Sequence, residues 1–389
     1  GDNLRSDCLN SMKAGALPII VNHRKNDSEI INLNRFIPIL NSNILISNSI
    51  SKSLRLSSPS NQYYSFAVDV IAPIYVPFVW DILSKAKKNN FSDLYFFARD
   101  SLIFYEIAKV FSSYYSSINL HYIYVSRKSI YFPTISDFSR ESIKTLFSEE
   151  EKSLLRILAD LCLEKDDFSL EQWEELNQQK NMNDIVDFLF SDKELYEKIK
   201  QRYEVQRFLF LEYLKQESVA RNSLSCAIVD LRGTRKSHER INSFLIKNGY
   251  KPIYGFYFEV LDNRAYPSNA QLYDSNIYRE EFIGSSYYEA LQNSTALFEQ
   301  FFSITPHNRT SHYCKDIYGN IKPVFDKENP NDKSVMLYNN NLKACLDYAS
   351  YYLKFIYLDY SVIISQFFLM NFLMLMKQPT HHFLNLLDG

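Results

Sequence analysis

Apolar residues change their spacing several times along the chain. Between Tyr63 and Lys88 they recur at helical intervals, with Pro73 and Pro77 placed to kink or divide the helix. Leu94-Tyr95-Phe96-Phe97 is a short unbroken apolar run, Ala98-Arg99-Asp100-Ser101 reads as a turn, and Leu102 to Phe111 returns to amphipathic helix. A second strand over His121 to Val125 gives 94–125 the length and order of a βαβ unit. The succession repeats later: Cys226 to Val229 predicts a strand, Ser237 to Lys247 a helix closed by Gly249, and Ile253 to Val260 another strand. Two such units predict an α/β protein, a parallel sheet flanked by helices.

The segments around these units differ. Residues 139–218 are charged and helical, with acidic and basic faces, and predict an all-α insertion. The stretch from Asn32 to Gln62 is rich in Ser and Asn with few apolar anchors, so it reads as linker with a short helix at most. After Lys327 the pattern is helical. Its apolar run Ile363 to Met376 is interrupted by Gln366 and Asn371, too short and too polar for a membrane span, and predicts a packed or interfacial helix. Residues 1–25 read as loop, helix and strand.

Composition narrows the function classes. Hydrophobic residues at 46% and charged residues at 23% exclude a disordered chain. A net charge of −2 offers no global basic field, so nucleic acid is not an expected partner and any anion must be held locally. Five scattered cysteines, with no C-x-x-C pair, fit reduced thiols in a cytosolic compartment and give no zinc site. His381 and His382 have no third ligand nearby in the sequence.

Three short stretches carry chemistry. In Gly1-Asp2-Asn3-Leu4-Arg5-Ser6-Asp7, Asp2 and Asp7 are spaced to meet one hard cation if the chain curves around it. An Asx-turn with Ser6 or Asp7 capping a helix is the plain alternative. In Val229-Asp230-Leu231-Arg232-Gly233-Thr234-Arg235-Lys236-Ser237, an acid ends a strand and two hydroxyls flank a helix start. Gly233 permits close approach of the backbone, and the helix N-terminus favours a phosphate. Arg99-Asp100-Ser101 and Ser126-Arg127-Lys128 each follow a strand, and their cations suit a diphosphate. His307 and Arg309 lie in a Pro-containing loop that could face an acceptor, though a structural loop is the better reading; Asp316 to Asn320 reads as a hairpin turn.

Gly1 to Asp7, followed by Ala14-Gly15-Ala16, resembles the fourth motif of haloacid-dehalogenase-type phosphatases, which implies that Asp2 and Asp7 bind Mg2+. The nucleophile-bearing strand of that family does not precede Gly1, so this part is expected to be phosphatase-inactive. The Asp230 loop resembles the ribose-phosphate loop of type I phosphoribosyltransferases, with Asp230, Thr234 and Ser237 at its acid and hydroxyl positions. Leu231 replaces a second acid, and Lys236 stands where glycine is usual. Phosphatase end, linker, Phe96 to Asp100 and Ser126 to Ser129 together resemble bacterial fusion proteins found with surface-polysaccharide genes.

That resemblance implies a division of the chain: 1–35 the end of a phosphatase domain; 36–62 linker; 63–138 and 219–326 a phosphoribosyltransferase-like core; 139–218 the insertion; 327–389 a helical region, expected to be truncated. It implies a pentosyltransferase that moves 5-phosphoribose from phosphoribosyl diphosphate (PRPP), with Mg2+, to a glycan acceptor, free or lipid-linked. Asp230, Arg99 and Arg127 would be catalytic, and Asp100, Ser101, Lys128, Gly233, Thr234, Arg235 and Ser237 would bind the donor. The expected location is the cytoplasm, with peripheral association at the inner membrane face left open. A non-catalytic phosphate- or partner-binding module and a nucleotide-sugar glycosyltransferase remain the alternatives.

Overall fold

Alternation along the strands decides the layering. The computed structural model describes residues 9–15, 42–58, 61–147, 153–179, 181–221, 223, 225–262, 272–285, 287–327, 331–355 and 361–388. In chain order, the elements that matter here are α1 (Ala72–Lys88), β1 (Asp93–Phe97), α2 (Leu102–Val110), β2 (Asn119–Ile123), α3 (Arg127–Tyr131) and α4 (Lys193–Gln216). Then come β3 (Cys226–Gly233), α5 (Lys236–Lys247), β4 (Tyr254–Val260), β5 (Tyr273–Tyr278), β6 (Thr310–Lys315), β7 (Ile321–Phe325), α6 (Asp332–Phe355) and α7 (Ser361–Lys377). The strands β1 to β5 form one parallel sheet in the order β2-β1-β3-β4-β5. The protein is α/β, as the two βαβ patterns predict.

Successive residues of a strand face opposite sides. Leu94, Phe96, Val229, Phe256 and Phe258 therefore pack on one face against α1, α2, α6 and α7. Tyr95, Phe97, Ile228 and Tyr257 pack on the other against α4, α5 and the β6–β7 hairpin. Both faces are covered, which is why these strands read as continuous apolar runs. The helices between Arg140 and Tyr203 share a separate core around Leu146, Leu158, Val186 and Ile199.

Two local expectations change. Ser42–Ser57, inside the stretch read as linker, is a 16-residue helix. Ile44, Ser47, Ile50, Ser51 and Leu54 are buried along one side, and Ser51 Oγ donates to Val68 O at 2.9 Å. Small serines let this helix approach its neighbours closely, so its buried face looks polar in sequence. The helical run from Gln62 to Lys88 also continues through Pro73 and Pro77, divided only by a change of register. A π turn over Ala67–Ile71, with Ala72 N–H reaching back to Ala67 O, places Pro73 at the start of the α-helical register, where a missing N–H costs little.

That helical run, Gln62–Lys88, is long and apolar enough to cross a membrane, but 89% of its apolar window is buried within the fold. The apolar run in α7 packs as read: Ile364, Phe368, Leu369 and Phe372 are buried. The hairpin is held from outside its own strands. Gln206 of α4 donates to Tyr313 O and accepts from Tyr313 N–H, both at 3.2 Å. Gln216 does the same for Ile321, at 3.0 and 2.8 Å.

Candidate active site

Strand order fixes where a ligand can enter. From β1 the chain goes outward to β2, then crosses back to β3 on the other side of β1. The loops after β1 and β3 therefore diverge at their carboxyl ends and leave a crevice, the usual ligand position in open parallel sheets. A cavity of about 620 Å³ occupies that place. Arg99 and Asp100 enter it from the loop after β1, and Arg127 and Lys128 from the start of α3. Asp230 with 232–238 enter from the end of β3, which runs on to Gly233 past the predicted end at Val229, and from the start of α5. Stretches more than a hundred residues apart in sequence thus line one cavity.

The β3 loop is shaped as an anion cradle. Gly233 and Thr234 lead into Arg235, whose backbone is left-handed at φ 62° and ψ 8°, and α5 starts immediately after it with no side-chain cap. The Arg235 side chain caps none of the N–H groups at this helix start. Thr234 and Ser237 line the cavity, and their hydroxyls take no hydrogen bond among the described residues. Arg235 borders the cavity too, but its guanidinium stacks on Tyr273 at 4.0 Å and the residue is buried.

Carboxylates form the interior of the cavity. Burial pushes the half-buried Asp230 up to about 7; the Asp100 charge adds to this, while the Leu231 N–H and Arg127 oppose it. Burial and the Glu299 charge raise Asp100 to about 6 against Arg99, Arg127 and Arg232. Leu231 is wholly buried in the apolar core, so that position cannot point a second acid at the cavity. The second carboxylate beside Asp230 comes instead from Asp100, on the neighbouring strand's loop.

The cations that line the cavity are not equivalent. Arg99 and Arg127 are exposed, with no ion pair among the described residues. Lys128 is paired with Asp326 at 2.7 Å, and Arg309 makes two bonds to the same carboxylate at 3.0 and 2.9 Å. Arg232 is buried and shares the Glu259 carboxylate with Arg279, yet its Nε and Nη1 have no hydrogen-bond partner. Burial lowers the Arg232 pKa, which the Glu259 charge opposes.

Of the sequence-predicted site residues, Asp230, Arg99, Arg127, Asp100, Lys128, Gly233, Thr234, Arg235 and Ser237 all border the cavity. Ser101 does not: it is fully buried at the start of α2, with its hydroxyl unpartnered. Asp2 and Asp7 lie outside the described residues. Among the described residues no three His, Cys, Asp or Glu side chains gather as a metal site. Sequence reasoning did not single out Glu299, Arg156, Asp160 or His238, which also line the cavity. Glu299 had a signal, a lone acid in the aromatic run Phe298 to Phe302. Arg156 and Asp160 come from the helical insertion and had none.

No protein-family model matches the chain, and no curated protein matches it.

Proposed function

We propose that this protein is a glycan phosphoribosyltransferase, moving 5-phosphoribose from PRPP to a hydroxyl of a glycan in the assembly of a ribofuranose-containing surface polysaccharide. One observation carries the reading: a helix start beside the unpartnered hydroxyls of Thr234 and Ser237, a carboxylate pair, and Arg99 and Arg127 without ion pairs among the described residues all line one crevice at the sheet's switch point. PRPP offers a partner for each of the three: a 5-phosphate, a ribose and a diphosphate.

Thr234, Ser237 and the first N–H groups of α5 hold the 5-phosphate, and Gly233 lets the backbone close on it. Asp230 orients the ribose hydroxyls and stabilises the positive charge that develops on the sugar as the diphosphate leaves. Arg99 and Arg127 bind the diphosphate and stabilise the charge it gains. Lys128 contributes its charge from a position fixed by Asp326. With no three-ligand carboxylate or histidine cluster among the described residues, Mg2+ is proposed to arrive on the donor's diphosphate, where it neutralises charge. A lipid-linked acceptor would place the protein in the cytoplasm, at the inner membrane face.

Isothermal titration of PRPP with Mg2+ tests the reading. Saturable binding, competed by ribose 5-phosphate and by diphosphate separately, is expected. A folded protein that binds no PRPP overturns it.

A further inference from the structure

A second cavity, of about 320 Å³, lies against the first, and Arg99, Asp100, Glu299 and Gln300 line both. The two differ in chemistry. The larger is lined by several basic side chains; in the smaller, Arg99 is the sole Lys or Arg of the lining. The rest of its wall includes Ser303, Thr305, Asn308 and Ser334, with Ile304 its one aliphatic side chain. Hydroxyls and amides beside two carboxylates suit a neutral polyol, whose hydroxyls can donate to and accept from them. An anion would be repelled by Asp100 and Glu299, and a large apolar group would have little to pack against.

We infer that the smaller cavity receives the sugar unit of the acceptor, and that Glu299 takes the proton from its attacking hydroxyl. This deepens the phosphoribosyltransferase reading and rests on it. Glu299 stands on the shared wall, half-buried, with no hydrogen bond or ion pair among the described residues. Its charge reaches Asp100 and Asp230 strongly enough to raise both. The other groups near this wall are committed elsewhere. Asp100 faces Arg99, Arg127 and Arg232 on the donor side. His307 Nδ1–H donates to Asn308 O at 2.9 Å, and Nε2 accepts from the Tyr122 hydroxyl at 2.7 Å. Burial also holds the His307 pKa below its ordinary value.

The step balances. The acceptor oxygen bonds to C1 of the ribose as the C1–O bond to diphosphate breaks; diphosphate leaves with that electron pair, and the acceptor proton moves to Glu299.

Diphosphate release from PRPP and Mg2+ is measured with and without methyl glycosides of neutral hexoses as acceptor probes. The wild type is expected to release diphosphate faster with a glycoside present. Glu299→Gln should lose that acceleration by about 100-fold or more while still binding PRPP saturably. Glu299→Asp, which keeps a carboxylate, should retain an intermediate rate. Failure of the wild type to bind PRPP overturns the donor reading. Normal PRPP binding with no response to any glycoside overturns the acceptor cavity. Undiminished glycoside-dependent release in Glu299→Gln, with PRPP still bound saturably, removes Glu299 as the proton acceptor.

Discussion

Asp93 starts β1 and Asp230 lies towards the carboxyl end of the neighbouring β3, and their carboxyl groups stand far apart in the carboxylate range. Burial raises both. At Asp93 it is outweighed by hydrogen bonds from Arg221, Ser92 and His121, which bring the carboxyl down to about 2. At Asp230 it is not, and the carboxyl stands near 7. The amino end of these strands is tied by an anion with three side-chain partners; the carboxyl end holds an acid whose hydrogen bond comes from the Leu231 N–H alone among the described residues.

That difference has a sign. Asp230 and Asp100 hold their protons more tightly folded than unfolded, where an aspartate titrates near about 3.9. Their contribution to stability is fully present below that value and is lost as pH rises through about 6 and about 7. Asp230→Asn removes one ionisation, so its Tm should exceed that of the wild type at about pH 8 and approach it near about pH 4. Transfer should be nearly abolished in the variant, and in the wild type should rise through about pH 7. Calorimetric scans at both pH values check this, and equal Tm values at the higher pH would contradict it.

Thr234→Val separates ligand binding from helix capping. The Thr234 hydroxyl has no partner among the described residues, so it caps no N–H of α5. Tm should therefore hold. One charge-assisted hydrogen bond to a phosphate is worth about 1.5–3 kcal/mol, so PRPP affinity should fall roughly ten- to a hundredfold. A lowered Tm with unchanged affinity would assign the hydroxyl to the protein's own stability.

Arg127→Ala should weaken diphosphate binding much more than ribose 5-phosphate binding, since Arg127 enters the cavity from the start of α3, apart from the Thr234 cradle. Because Arg127 lowers the pKa of both Asp100 and Asp230, its removal should also move the pH-activity profile upward. Titrations with the two ligands test the first outcome, and a rate profile the second. Equal losses for both ligands would place Arg127 elsewhere.

Glu259→Gln probes the support beneath the site. The Glu259 side chain is 1% exposed and binds both Arg232 and Arg279. Taking the directly bound carboxylate from two buried guanidiniums should cost about 3–5 kcal/mol. Urea unfolding measures it, and a change under about 1 kcal/mol would mean that water reaches the triad.

Much of this was legible in the sequence because it is local. The apolar runs at Leu94 and Cys226 mark strands buried on both faces, and the loops that follow them carry Arg99 and Asp230 at strand ends. Spacing alone could not show that Leu231 turns into the core while Asp100 supplies the neighbouring carboxylate, because that pairing crosses two strands. The Ser42–Ser57 helix was hidden because its buried face uses serine. Arg156 and Asp160 reach the cavity only through packing of the insertion, which leaves no periodic trace in the chain.

The glutamines of α4 have a consequence for solubility. A two-stranded ribbon exposes unpaired N–H and C=O groups on both outer edges, where a strand of another chain can add. Gln206 occupies the donor and acceptor of Tyr313 on β6, and Gln216 those of Ile321 on β7. Each side-chain amide stands in for one residue of a neighbouring strand and ends the ladder there. The helix thus makes the hairpin a poor template for fibre growth, and a chain in which α4 has not yet docked is the one that would aggregate.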